Sequence, residues 1–101
     1  MRATLPPEQW ENWVLQGYPE EVVGLLLSDG NLLPLVNRSR RPRRAWEVDA
    51  SELLPALQQL RASGLDMVSW VHSHPHGLPQ PSRRDPEGLV LATDGKRVWW
   101  P

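Results

Sequence analysis

The sequence predicts an α+β domain, a mixed β-sheet flanked by two helices, and three observations carry that prediction. Short apolar runs bounded by turn residues recur at 22–27, 32–36, 67–71 and 89–93. Two other stretches, 5–16 and the one after Asp49, carry apolar residues at helical spacing. Strands and helices are interspersed without strict alternation, the α+β pattern. The chain has 101 residues, so a single domain spanning 1–101 is expected, since domains cluster near ~100–150 residues. Apolar residues make up 40% of it, enough for a packed core.

The elements follow in order. In the helix over 5–16, Thr4 is placed to cap, and Pro6 and Pro7 suit a first turn whose N–H groups need no partner. Trp10, Trp13 and Val14 give it one apolar face, and Gly17 ends it. Val22 to Leu27 reads as a buried strand, and Asp29-Gly30 supplies the turn of a hairpin returning through Leu32 to Val36. Pro34 moves that second strand to an edge or a bulge, because proline cannot donate to a ladder. Ala45 to Val48 reads as a short strand. Asp49 with Glu52 makes a capping-box pattern before a helix carrying Leu53, Leu54, Leu57 and Leu60 on one face. Pro55 must lie near that helix's first turn, and Gly64 closes it. With Met67 to Val71 as the next strand, the 45–71 unit is expected to set two strands parallel by a crossover. Residues 75–88 are too long and polar for a simple connection. A last hairpin turns at Asp94-Gly95.

Composition excludes several function classes. There is no cysteine, which removes disulfide frameworks, thiolate metal sites and cysteine nucleophiles. No apolar run approaches the ~18 residues of a membrane span, and no basic-then-apolar leader stands at the start, so a cytoplasmic location is expected. The net charge of -1 does not select a polyanionic partner. Five arginines nonetheless fall within residues 38–44. They suit either a solvated loop or a surface facing a partner, and without interleaved aromatics nucleic acid is disfavoured.

The chemistry is concentrated in Trp70-Val71-His72-Ser73-His74-Pro75. At a strand end, period two sends His72 and His74 to the same side, where two imidazoles can ligate one metal ion. A third ligand must be a carboxylate or another histidine, and the following loop offers His76 and Asp85. Ser82 and Asp85 are spaced as a helix cap, which is compatible with ligation. Of Glu20 and Glu21 only one can face such a site, where it would act as a general base.

Taken together these motifs resemble the JAMM (MPN+) metalloprotease family. Its pattern is a Glu before an apolar strand, then His-x-His, seven residues, Ser, two residues and Asp. Here it reads Glu21, His72-Ser73-His74, then Ser82-Arg83-Arg84-Asp85 with no gap. The segments Tyr18 to Leu26, Leu33 to Asn37 and Asp49 to Leu54 also look like the family's first two strands and middle helix. The resemblance implies a cytidine-deaminase-like MPN fold, shortened at its C-terminus. It implies one zinc ion per chain held by His72, His74 and Asp85, with water in the fourth position. It makes Glu21 the base that activates that water, and Ser82 the donor to the developing oxyanion. The implied reaction is hydrolysis of a peptide or isopeptide bond, at the C-terminal tail of a ubiquitin-like or sulfur-carrier protein. His76 and Glu87 lie outside the pattern and read as exposed loop residues. Pro86 and Gly88 stop any helix after Asp85, where the family usually continues with one, and a homodimer could supply the missing walls. Two other readings compete: a metal-binding or RadC-like DNA-associated module without hydrolytic activity, and a silent scaffold.

Overall fold

The computed structural model describes residues 3–80, 82, 85 and 87–101. A short 3-10 helix, Pro7–Gln9, leads into α1 (Trp10–Gly17), followed by β1 (Val23–Leu27) and β2 (Leu32–Leu35). Then come α2 (Ala50–Ala62), β3 (Met67–Pro75), β4 (Gly88–Thr93) and β5 (Val98–Trp99). The five strands form one sheet in the order β2-β1-β3-β4-β5. β3 and β4 are parallel and the other neighbours antiparallel, so the sheet is mixed as expected.

Alternation along the strands divides the core into two layers. Val23, Leu25, Leu27, Leu33 and Leu35 pack under α2 against Ala56 and Leu60. Leu32, Val71 and Leu91 pack on the other face against Trp10 and Val14 of α1. A helix thus covers each sheet face. No helix among the described residues is long and apolar enough to cross a membrane.

Several local expectations hold for the reasons given. β2 lies at the sheet edge, where Pro34 leaves no central ladder bond unmade. Asp49 caps α2, accepting from the Ser51 N–H at 2.9 Å, but the expected capping box is not closed, because Glu52 Oε1 accepts from the Val36 N–H at 3.0 Å. Gly64 takes φ 76 just past the helix, a conformation that favours glycine.

Four further expectations need correction. Thr4 caps nothing, because the first turn starts after Pro6 with no side-chain cap. Leu5 instead exchanges two backbone hydrogen bonds with Leu32, each 2.8 Å, which draws the segment to the sheet edge. Residues 45–48 form no strand. Their polar groups are bonded to the preceding loop: Glu47 C=O accepts from Arg38 N–H, Glu47 N–H donates to Asn37 Oδ1, and Ala45 C=O accepts from Asn37 Nδ2. The 45–71 unit therefore makes no parallel pair, and that pair is β3 and β4, joined through residues 76–87. Finally, Leu54 is 59% exposed, and Ala56 takes the core position beside Leu60. Pro86, read above as a helix stop, and Arg83 and Arg84 of the Ser82–Asp85 segment lie outside the described residues. Gly88 opens β4, where a Cβ would stand 2.6 Å from the Trp70 carbonyl oxygen. Only glycine allows β4 to approach β3 so closely there.

Candidate metal centre

β3 runs past Val71 to Pro75, so both histidines belong to the strand. His72 is paired with Val23 of β1 on one side and Val90 of β4 on the other, and His74 with Ala92. Being two residues apart, they project to one side of the sheet. Their Nε2 atoms lie 3.1 Å apart. Asp85 Oδ2 lies 3.3 Å from His72 Nε2 and 3.1 Å from His74 Nε2. A tetrahedral ion with nitrogen and oxygen ligands at about 2.0–2.1 Å requires ligand atoms about 3.3 Å apart. The three atoms therefore outline one face of such a tetrahedron.

The donor set also fits a cation on chemical grounds. Asp85 Oδ2 accepts from the Ser82 N–H at 2.9 Å and from the Ser82 hydroxyl at 3.0 Å, besides facing both imidazoles. Four polar atoms on one carboxylate oxygen are more than its lone pairs satisfy. A metal ion in the triangle would take the imidazole contacts over. Glu21, His72 and His74 also present ligand atoms within 4.8 Å of one another.

Glu21 is 5% exposed at the entrance to β1, whereas Glu20 beside it is exposed. Of the two acids, then, Glu21 is the one at the site. Burial, the strongest influence, raises its pKa from 4.5 to about 7; His74 opposes the rise and Asp85 adds to it. Burial likewise holds the His72 imidazole below its ordinary pKa, against the pull of Asp85. That keeps the ring neutral, the form that binds metal. Burial pulls the Asp85 carboxyl upward, but the two Ser82 hydrogen bonds, with His72 and His74 alongside, outweigh it and hold the pKa below the usual value. His72 Nδ1 is the one buried side-chain polar atom without a partner among the described residues. Packing instead fixes the ring, with Trp46 at 5.6 Å and His74 at 4.8 Å between centroids. His76 and Glu87 are exposed; the His76 ring lies edge-on to Tyr18 and is hydrogen-bonded to its hydroxyl.

Two residues that position the site carry no chemistry visible in the sequence. Ser73, between the histidines, accepts from the Val22 N–H at 2.9 Å and donates its own N–H to Val22 C=O at 3.0 Å. It buttons β3 to the residue after Glu21. Asn37 uses its whole amide. Nδ2 donates to Glu21 C=O at 2.8 Å and Ala45 C=O at 3.0 Å, and Oδ1 accepts from the N–H groups of Ser39 and Glu47. Its only sequence signal was its place at the end of an apolar strand. A cleft of about 300 Å³ opens beside the site, and Glu21, His74, Ser82 and Asp85 line it together with Arg43 and Arg44.

A mixed sheet whose central strand ends in two histidines, met by a loop aspartate and a buried glutamate, defines an α+β protein with a candidate metal centre. Residues 11–94 match the prokaryotic homologs of the JAB domain, and the chain belongs to that family. It is 35% identical to a desampylase of Haloferax volcanii over 89 residues, which cover 82% of this chain and 58% of that protein. It is 32% identical to a probable TtuB-protein conjugate cleaving protease of Thermus thermophilus over 102 residues, covering 91% of this chain and 69% of that one. The solution structure of a Desulfitobacterium hafniense protein superposes with a TM-score of 0.63 at 29% identity, covering 87% of this chain and 71% of the other. The chain thus spans little more than half the length of the first of these relatives.

Proposed function

We propose that this chain is a zinc-dependent metallopeptidase of the isopeptidase type, hydrolysing peptide or isopeptide bonds in conjugates of ubiquitin-like or sulfur-carrier proteins. The observation that carries the reading is the triangle of His72 Nε2, His74 Nε2 and Asp85 Oδ2, 3.1–3.3 Å on each edge, with a buried carboxylate beside it. The names of the desampylase and of the TtuB-protein conjugate cleaving protease support the substrate class.

His72, His74 and Asp85 would hold one zinc ion. When bound, the ion supplies Lewis acidity and brings the pKa of a water to about 7. Glu21 takes a proton from the attacking water as its oxygen bonds to the scissile carbonyl carbon. As the C–N bond breaks, Glu21 passes that proton to the departing amine. Burial raises this carboxyl's pKa in the metal-free chain, and a cation bound beside it would favour the ionised form, which accepts the proton. Ser82 holds Asp85 in place through its N–H and, in the metal-free chain, through its hydroxyl; with a cation engaging Asp85, that single hydroxyl proton would turn to the carbonyl oxygen as negative charge develops there, leaving the N–H on Asp85.

Native mass spectrometry of the wild type and Asp85→Ala, paired with hydrolysis of a ubiquitin-like conjugate, tests the reading. One zinc and activity in the wild type, both lost in the variant, are the expected result. A wild type that takes up no zinc at neutral pH overturns it.

A further inference from the structure

The arginine run at 38–44 stands apart from the proposed chemistry, yet two of its members border the cleft. We propose that Arg43 and Arg44 form an anion-recognising wall that selects a substrate segment carrying an acidic side chain beside the bond to be cleaved. The proposal rests on the reading of the cleft as a peptidase site.

Placement is the first argument. Arg43 and Arg44 line the same cleft as Glu21, His74, Ser82 and Asp85. Arg38, Arg40 and Arg41 line a neighbouring hollow with Ala45 and Glu47, and Arg43 and Arg44 also border a third hollow with Arg41 and Pro42. Of the five, the last two are the ones that line the cleft of the candidate site.

The second argument is that the loop is anchored to the site's own backbone. Glu21 N–H donates to Pro42 C=O at 2.6 Å, and the Arg44 and Ala45 N–H groups both donate to Arg41 C=O at 2.9 Å. Asn37 ties Ala45 C=O to Glu21 C=O through one amide nitrogen. The two arginines therefore rise from a turn fixed to the backbone of the proposed base, at the entrance to β1. A recognition group held this way loses less freedom on binding than one on a free loop.

The third argument is free charge. Among the described residues neither Arg43 nor Arg44 joins an ion pair such as those of His72 and His74 with Asp85. The Asp85 carboxylate is engaged by Ser82 and the two histidines. Both guanidinium groups are exposed and open to a ligand. Guanidinium forks match carboxylates in two-point geometry. A peptide fits better than a nucleic acid, because the run 38–44 holds no aromatic ring on which bases could stack and the chain's net charge is -1.

The test is equilibrium binding of two labelled octapeptides to the zinc-loaded chain, read by fluorescence anisotropy in salt of about 0.15 M. The peptides share a Gly and Leu frame and differ only in Glu against Gln at the same positions. The Glu peptide is expected to bind the wild type about tenfold more tightly, with the difference gone in Arg43→Gln/Arg44→Gln and kept in Arg38→Gln/Arg40→Gln. If the double variant fails to fold, each single variant is expected to lower the preference about threefold. Equal binding of the two peptides by the wild type overturns the proposal, as does a preference that survives removal of both arginines. A single-stranded oligonucleotide that binds more tightly than the Glu peptide, and loses its binding in the same variant, also overturns it, in favour of a nucleic-acid surface. Binding is read without turnover, so it answers separately from hydrolysis. A wild type that cleaves conjugates but ignores the acidic side chain keeps the activity and loses the wall. One that shows the preference but cleaves nothing keeps the wall and loses the peptidase reading.

Discussion

His72 sits between Val23 and Val90 in the middle of the sheet, fully buried, whereas Asp85 lies on the connection after β3 and is held chiefly by Ser82, three residues away. The two sides of the candidate metal centre are thus built differently. The histidine side depends on strands distant in sequence: Val22, Val23, Val90 and Ala92 all set its register. The aspartate side is a local turn, with Asp85 N–H returning to Ser82 C=O at 3.2 Å. Disturbing the sheet should therefore cost stability and the site together. Changes in the connection should affect the site with little cost to the fold.

The largest effect should come from the buried acid on the sheet side. Glu21→Gln is expected to lower hydrolysis of a conjugate about a hundredfold to ten-thousandfold while one zinc stays bound, as read by a cleavage assay and native mass spectrometry. Loss of zinc in the same variant would make Glu21 a ligand in place of a base, an arrangement its position within 4.8 Å of the histidine ligand atoms allows. Next is the contrast between Leu25 and Leu78. Leu25 is completely buried under α2, and Leu25→Ala should cost about 3 kcal/mol in urea denaturation. Leu78, on the connection and 65% exposed, should cost less than about 0.5 kcal/mol when changed to Ala. Equal costs would erase the distinction between the two regions.

Ser82→Ala sharpens it further. Without the hydroxyl bond to Asp85, zinc affinity should fall about tenfold against a competing chelator. The metal-free chain should keep its urea midpoint, and a large drop there would show the turn supporting the fold. The last effect concerns pH. Glu21 has a raised pKa in the folded chain, so its contribution to stability is present below about pH 4.5 and is lost as pH rises through about 7. The metal-free Glu21→Gln variant should accordingly gain stability relative to wild type across that window. Urea midpoints that stay parallel from acid to neutral pH would contradict the burial of this carboxyl.

The elements legible in the sequence were those with a local cause. Asp-Gly turns, the Asp49 cap, Gly64 and the edge position of Pro34 all act within a few residues, and each appears where it was read. The errors fell where a distant partner decided. Residues 45–48 have strand-like composition, but Asn37 and Arg38 take their hydrogen bonds. Thr4 is a competent cap, but Leu5 pairs with Leu32 and draws the chain to the sheet. Leu54 shares a helical face with Leu57 on paper, but the sheet beneath α2 meets Ala56 and Leu60.

The candidate site divides in the same way. Residue type and period singled out His72 and His74, but left the third ligand open between Asp85 and His76; Asp85 as ligand and Ser82 as donor came from the resemblance to the family pattern. Period two limited the inward-facing acid to one of Glu20 and Glu21, and the family pattern pointed to Glu21. Tertiary structure alone decided the rest. It set His72 Nε2, His74 Nε2 and Asp85 Oδ2 within 3.1–3.3 Å of one another, from residues that span thirteen positions in sequence. It buried Glu21 enough to lift its pKa, and it gave Ser73 and Asn37 their partners. It also turned two of five arginines toward the cleft. The physical reason is common to all of these: distance, burial and hydrogen-bond partners are set by segments that meet only when the sheet closes, and local sequence pattern carries no record of that meeting.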